Sequence, residues 1–318
     1  MIKTHHLNVG HGDTILIEFF DTKRLMVIDC NRSAEFDDDT KLELINEALS
    51  MVDEPTRNLY KFNLYDRKKL FEKAGYDIGL TDPIDYINNL GYKNIFRFIQ
   101  THPHLDHFKG MNDLFESFSV WNIWCIKNNF TMDLTKLNDS EKVDWALLKK
   151  FRDTNERKIE NTTIVRPYAG HSRDFWREDN ITVLSPTPEL VKLAQEKENR
   201  NIMSYVLLVE HGGHKLIFGG DAEKETWEYI LDNYEEKIKN VTVIDASHHG
   251  RDSGYYQPAV KVMNPEYVVV SVGKKPSTDA TNKYKQYARN VWSTRWKGNI
   301  TFTINSDGSG SYDTQYDR

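Results

Sequence analysis

Three imidazoles and a carboxylate fall within the six residues His102-Pro103-His104-Leu105-Asp106-His107, just after the apolar run Ile95-Phe96-Arg97-Phe98-Ile99. Such a run needs a sheet to bury it, and its polar loop must then sit at the rim of that sheet, the usual address for chemistry in layered α/β folds. The pattern recurs: Lys215 to Phe218 leads into Gly219-Gly220-Asp221, and Val241 to Ile244 leads into Ser247-His248-His249-Gly250. If these strand ends line up at one edge, their side chains converge. His at i and i+2 reaches one metal ion from an extended loop, and the Asp-His pair that follows reaches a second. His102 and His104 are therefore expected on one ion, and Asp106, His107 and one of His248 and His249 on the other, with Asp221 bridging. Imidazole and carboxylate suit zinc, and also manganese or iron. Water held between two such ions has its pKa lowered toward neutrality and becomes a nucleophile.

The chain has 318 residues, which suits one large domain or two small ones. No repeat, low-complexity tract or linker divides it, so one domain over 1–318 is expected, with an insertion at about 31–80. Hydrophobic residues make up only 39%, but aromatics at 12% bury large areas each, so a packed core is feasible. A net charge of −6 argues against a protein that coats nucleic acid over its whole surface, though not against a local basic groove. Two cysteines, Cys30 and Cys125, make no disulfide framework and fit a reducing compartment. Met1 to His6 lacks the apolar core of a signal peptide, and no apolar run approaches the roughly 18 residues of a membrane span. A soluble, cytoplasmic protein without membrane contact is expected.

Leu7 to Phe20 and Arg24 to Ile28 read as a hairpin turning near Asp21-Thr22. Glu35 to Glu54 is acidic and predicts a loop and an exposed helix. Asp82-Pro83 starts a capped helix that Gly91 ends. Further helices are expected at about His107–Ser117, Asp144–Arg152 and Lys224–Tyr234, and strands at Trp121–Ile126, Ile181–Leu184, Tyr267–Val272 and Ile300–Ile304. His211-Gly212-Gly213 between Tyr205–Val209 and Lys215–Phe218 signals a hairpin.

His102-x-His104-x-Asp106-His107, with Asp29 before it and Gly220-Asp221 and His249-Gly250 after it, resembles the metallo-β-lactamase superfamily. The resemblance spans nearly the whole chain apart from about 31–80. Leu7-Asn8-Val9-Gly10-His11-Gly12-Asp13-Thr14, Asn201-x-x-Ser204-Tyr205-Val206-Leu207 and Ser247-His248-His249-Gly250 look more narrowly like the soluble hydrolase domain of the competence DNA-uptake protein ComEC and its stand-alone relatives. The resemblance implies a four-layer αββα sandwich with two divalent metal ions at one edge, and a hydrolase of phosphodiester-type or other ester-type bonds. Two departures stand out. The superfamily's further His on the first ion is replaced by Asn199-Arg200-Asn201, and Asn is a poor zinc ligand; His171 could supply the ligand from elsewhere. His11 stands where the uptake-protein branch more often has Gln.

The remaining candidates have bland alternatives. Asp29 either orients a ligand His or caps a strand, and Asp13 either serves the site or a glycine turn. His11, Asn201 and Ser204 are candidates for substrate contact or for support behind the ligands. His249 matches the superfamily's His-Gly best, which leaves His248 as proton donor or charge stabiliser, although the two roles could be reversed. His5, His6, His211 and His214 read as ordinary strand or turn residues. Gly273 to Lys297 carries seven Lys and Arg, Lys274 and Lys275 among them, against Asp279 alone, with Tyr284, Tyr287, Trp292 and Trp296 interleaved. It is either a platform for phosphates and bases or an amphipathic helix with its aromatics in the core.

The leading expectation is a binuclear metal-dependent hydrolase, with zinc or manganese, acting on phosphodiester bonds in nucleic acid or a nucleotide, with Asp106 and Asp221 fixing the metals and aiming the water. The alternatives are hydrolysis of a small acyl compound such as a lactam, lactone or thioester, and a partner subunit of a defence or DNA-uptake system with gated activity.

Overall fold

Successive side chains of a strand point to opposite faces, so a sheet covered on both sides needs apolar residues at every position. Residues 15–19 and 25–28 meet that demand except at Glu18, whose carboxylate is paired with His5 and Tyr92. Ile15, Ile17, Phe19, Met26 and Ile28 enter one buried cluster, and Leu16, Leu25 and Val27 enter another. The computed structural model describes residues 1–62, 69–70 and 79–316. Its first strands are β1 (Ile2–His6), β2 (Ile15–Phe19), β3 (Arg24–Ile28), β4 (Asn94–Ile99), β5 (Ser119–Trp124), β6 (Lys158–Ile159) and β7 (Thr162–Val165). β8 (Ile181–Ser185), β9 (Val206–His211), β10 (His214–Phe218), β11 (Val243–Asp245), β12 (Tyr267–Val270) and β13 (Asn290–Ser293) build a six-stranded sheet in the order β13-β12-β11-β10-β9-β8. The chain then returns through β14 (Ile300–Ile304) and β15 (Gly310–Thr314) to complete a nine-stranded sheet, β15-β14-β1-β2-β3-β4-β5-β7-β6.

Three packed clusters separate four layers. Between the sheets lie Ile17, Met26, Ile99 and Trp124 from one and Val183, Leu207, Phe218 and Val243 from the other. Outside the larger sheet, Val27, Phe98 and Ile123 pack on Ile87, Leu114 and Leu148 from the helices Pro83–Asn89, Met111–Ser117 and Asp139–Asp153. Outside the smaller sheet, Leu208, Ile244 and Val268 pack on Trp227, Ile230 and Val260 from the helices Lys224–Tyr234 and Gln257–Met263. The result is a four-layer αββα sandwich, the architecture that the resemblance implies. No helix among the described residues is long and apolar enough to cross a membrane.

Local chemistry set several element ends as expected. Asp82 accepts from the Ile84 amide at 2.8 Å with Pro83 at the first helical position. Gly212 and Gly213 both have positive φ, 54° and 81°, as a two-residue hairpin turn between β9 and β10 requires. Other expectations need correction. Leu7 to Thr14 is a loop rather than strand, because Gly10 and Gly12 sit at φ 86° and 135°. The helix expected from His107 begins only at Met111, after a short 3-10 turn and Gly110 at φ 96°.

The two charged stretches are each other's partners. The acidic helix Asp38–Met51 is not simply exposed: it buries the stripe Thr40, Leu44 and Ala48. Its carboxylates face the basic segment some 240 residues away: Arg295 contacts Glu43 at 2.8 Å and Glu47 at 3.0 Å, and Lys274 contacts Asp39 at 2.8 Å. Lys275 pairs with Asp279 and Lys283 with Asp252. The segment 273–297 is therefore neither an uncompensated basic platform nor one amphipathic helix. It holds the short helices Thr281–Tyr284 and Thr294–Lys297 around β13, with Tyr284 buried and Trp292 stacked on Phe302. The aromatic, charged stretch expected before Leu80 falls largely at 63–68 and 71–78, outside the described residues.

Candidate metal centre

β3, β4 and β5 run parallel, as do β10, β11 and β12, so their C-terminal ends share an edge in each sheet. The loops that leave β3, β4, β10 and β11 are bonded to one another. The Asp29 amide donates to Ile99 O at 2.8 Å, the Cys30 amide to His107 O at 3.0 Å, the Tyr205 amide to Thr101 O at 3.1 Å and the His248 amide to Gly220 O at 3.0 Å. The Asp13 loop closes on them, its amide 3.4 Å from Asp106 O. Gly12 makes that approach feasible, since a Cβ there would stand 2.4 Å from the same carbonyl.

Asp221 is buried at the centre, and its two oxygens face different histidines. Oδ2 lies 3.5 Å from His102 Nε2 and 3.8 Å from His248 Nε2, while Oδ1 lies 3.2 Å from His107 Nε2 and 3.7 Å from His249 Nε2. His104 Nδ1 is 2.9 Å from His102 Nε2, and Asp106 Oδ2 is 3.2 Å from His249 Nε2. Two ligand atoms on one tetrahedral ion with ~2.1 Å bonds stand ~3.4 Å apart, so these spacings suit shared cations. His102, His104 and Asp221 form one group of potential ligands; Asp13, His107, Asp221 and His249 form a second; His11, Asp106 and His249 form a third. His107 Nε2 and Asp221 Oδ1 are both buried without a well-aligned hydrogen bond. Buried polar atoms are seldom left so, and a cation between them accounts for both.

The backs of the rings are held. Asp29 accepts from the Thr101 amide at 2.8 Å and its hydroxyl at 2.6 Å, and lies 2.7 Å from His107 Nδ1. Asp13 Oδ2 is 3.8 Å from His107 Nδ1 and 3.7 Å from His249 Nδ1. Burial opposes charge on His107, but Asp221, Asp29 and Asp106 outweigh it and hold its pKa well above the usual histidine range. Burial likewise opposes charge on His249, yet Asp221 and Asp13 lift it to about 9. His102 and His104 go the other way, to about 3 and about 4, mainly through burial. Burial raises Asp13 to about 7, with Asp245 adding to it.

Other sequence candidates land as follows. His11 is part-exposed at the rim, 4.0 Å from Asp106, with its ring tilted against that of His249 at 4.7 Å. Asn201 turns its amide toward Glu223 Oε1 at 3.0 Å, and its Oδ1 is buried without a partner. Ser204 is buried just before Tyr205, whose amide bonds to Thr101. Lys274 and Lys275 are engaged with the acids named above. His171 does not join the cluster; it is exposed and accepts from the Tyr168 amide.

Four residues were missed. Glu223 contacts His248 Nδ1 at 3.2 Å, and Arg251 Nη2 lies 3.3 Å from His11 Nε2. Asp245 and His6 form a buried pair behind Asp13, 3.5 Å apart. Glu223 and Arg251 each lie two residues past a ligand-type residue, a signal that could have found them; Asp245 and His6 sit inside strands and carry none.

His6 has no hydrogen-bond partner at either nitrogen, and burial pulls its pKa to about 4. It is therefore neutral when folded. As pH falls from 6.5 toward 4, the unfolded chain takes up this proton and the native chain does not, so stability is lost across that window, by about 3 kcal/mol in total. Urea unfolding of His6→Phe is expected to lack this share of the acid sensitivity; parallel pH slopes for variant and wild type would contradict it.

No protein-family model and no curated protein sequence matches the chain. Solved structures do align with it. The metallo-beta-lactamase fold protein YhfI from Bacillus subtilis is 8% identical, with 98% of this chain and 100% of that chain covered and a TM-score of 0.42. Unliganded yeast PDE1 is 11% identical over 95% and 99%, with a TM-score of 0.45. CmlA, a diiron beta-hydroxylase from Streptomyces venezuelae, is 11% identical over 95% of this chain and 54% of that chain, with a TM-score of 0.45.

Proposed function

We propose that the chain is a hydrolase dependent on two divalent cations, and that it acts on phosphodiester bonds in nucleic acid or a nucleotide. The observation that carries hydrolysis is the buried Asp221 carboxylate with one oxygen toward each set of ligand-type residues. His102, His104 and Asp221 Oδ2 would hold one ion; Asp106, His107, His249 and Asp221 Oδ1 would hold the other. Bound there, divalent zinc or manganese supplies Lewis acidity and an activated water near neutral pH. The chain's own groups do the rest. Asp29 and Asp13 keep the His107 and His249 rings turned toward Asp221. Neighbouring His107 and His249 hold Asp106 ionised against the cost of burial.

Arg251 favours phosphate over a small acyl substrate. It reaches the rim beside His11, makes no ion pair among the described residues, and brings a guanidinium charge that suits an anionic oxygen. Arg200 adds a second positive charge near His104. A lactam or thioester pocket would instead be apolar and free of such cations. The acidic helix lends the partner-subunit alternative less support, because Asp39, Glu43 and Glu47 pair with the chain's own Lys274 and Arg295.

The test is turnover by protein loaded with zinc or manganese. Hydrolysis of bis(p-nitrophenyl) phosphate, single-stranded DNA or RNA is expected, and inertness toward all three would end the phosphodiester proposal. Turnover of a chromogenic lactam alone would transfer it to the acyl class. Arg251→Ala is expected to lower kcat/KM for a phosphodiester by ~10–100-fold, the worth of a hydrogen bond to a charged group. An unchanged kcat/KM would remove Arg251 from substrate binding.

A further inference from the structure

We infer that His248 is a metal ligand, completing the imidazole set around Asp221 Oδ2, and not a proton donor facing substrate. The inference rests on the binuclear proposal above. His248 Nε2 points at Asp221 Oδ2 from 3.8 Å, the same oxygen that faces His102 Nε2 at 3.5 Å. On the other oxygen, His107 and His249 stand at 3.2 and 3.7 Å. Each Asp221 oxygen thus faces a pair of Nε2 atoms, and the His248 spacing differs little from that of His249.

The back of the ring supports the same role. A ligating imidazole commonly donates its second N–H to a carboxylate, which fixes its orientation and raises its basicity. His107 has Asp29 in that place at 2.7 Å. His248 has Glu223 at 3.2 Å and Ser253 Oγ at 2.7 Å on Nδ1, which leaves Nε2 as the free end. Glu223 is itself anchored by Asn199 at 2.7 Å and Asn201 at 3.0 Å. The asparagines that looked like a gap in the ligand set instead brace the carboxylate behind His248.

The backbone is committed to the same end. His248 and His249 both sit in the left-handed region, at φ 53°, which non-glycine residues seldom occupy. Two successive residues held there swing both rings onto Asp221. Such strain persists where surrounding structure enforces it, and tends to mark functional sites. Here Gly254 packs so tightly on Ser247 that a Cβ would stand 2.2 Å from its carbonyl oxygen, and this closure seats Ser253 on His248.

The experiment is cobalt titration of the full chain, read by metal content and by proton NMR of hyperfine-shifted, exchangeable imidazole N–H signals. Wild type is expected to take up two ions. His248→Gln is expected to lose one shifted N–H signal and to bind one of the two ions at least ~10-fold more weakly, with circular dichroism unchanged. Glu223→Gln keeps the shape and should weaken the same ion by ~10–100-fold, which covers the case in which His248→Gln fails to fold. Unchanged signals and two tightly held ions in both variants would overturn the ligand role alone. Wild type that takes up no cobalt would overturn the binuclear proposal, and this inference with it.

Discussion

Asp221→Ala is expected to release both metal ions, not one. Its two oxygens face separate pairs of imidazoles at 3.2 to 3.8 Å, so no other side chain can substitute for it at either position. The loss is electrostatic as well as geometric. Asp221 is the largest attraction raising the pKa of both His107 and His249 against burial. Without it, a cation must enter a buried cluster of imidazoles with one less negative charge to meet it, where desolvation is costly. Elemental analysis of protein purified without added metal should find about two ions per chain in wild type and few in the variant, with hydrolysis lost. Asp29→Asn offers a graded comparison, since Asp29 acts from behind the ligands, on His107 directly and on His102 through Thr101. It should keep both positions while weakening binding by ~10–100-fold. If Asp221→Ala retains two ions, the bridging role assigned to it is wrong.

Asp179→Ala is expected to lower stability strongly although it lies away from the centre. Arg97 on β4 is buried in the sheet, and its guanidinium lies 3.2 Å from Asp179 with side-chain exposures of 1% and 0%. Its remaining contacts are weak, Met26 Sδ at 3.6 Å and the Trp124 and Phe96 rings at 5.1 and 5.3 Å. Burial already pulls the Arg97 pKa down to about 10, and Asp179 is what opposes the pull. Asp179 also accepts from Thr22 and Arg24. Removing one partner of a buried pair leaves an uncompensated charge and costs ~3–5 kcal/mol, whereas replacing both with apolar groups can be neutral. Urea unfolding should therefore place Asp179→Ala far below wild type, with Arg97→Met/Asp179→Leu recovering much of the loss. A change under ~1 kcal/mol for Asp179→Ala would put the pair among ordinary surface bridges.

These two sites differ in how visible they were along the chain. The centre announced itself because four ligand-type residues crowd into His102–His107 and because Asp221 and His248-His249 follow apolar runs at strand ends. Such runs need burial and polar groups after them are driven to the rim, which makes a rim site legible, while the four-layer sandwich was what the family resemblance implied. The β9–β10 hairpin was equally plain, since Gly212-Gly213 supplies the positive φ that the turn demands. Arg97 and Asp179 carried no such sign. They are 82 positions apart, and a lone Arg in a strand reads as an exposed residue until the second sheet and the loop before β8 close over it.

The sequence by itself determined most of the elements and the set of candidate ligands, because propensity, turn geometry and the burial of apolar runs act over a few neighbouring residues. Only the tertiary structure decided which oxygen of Asp221 faces which histidine, that Glu223 stands behind His248, and that the acidic helix lies against Arg295 and Lys274. Those outcomes depend on distances between side chains far apart along the chain. Coulomb and hydrogen-bond energies depend on separations of a few ångströms in space, which position along the chain does not give for residues so far apart.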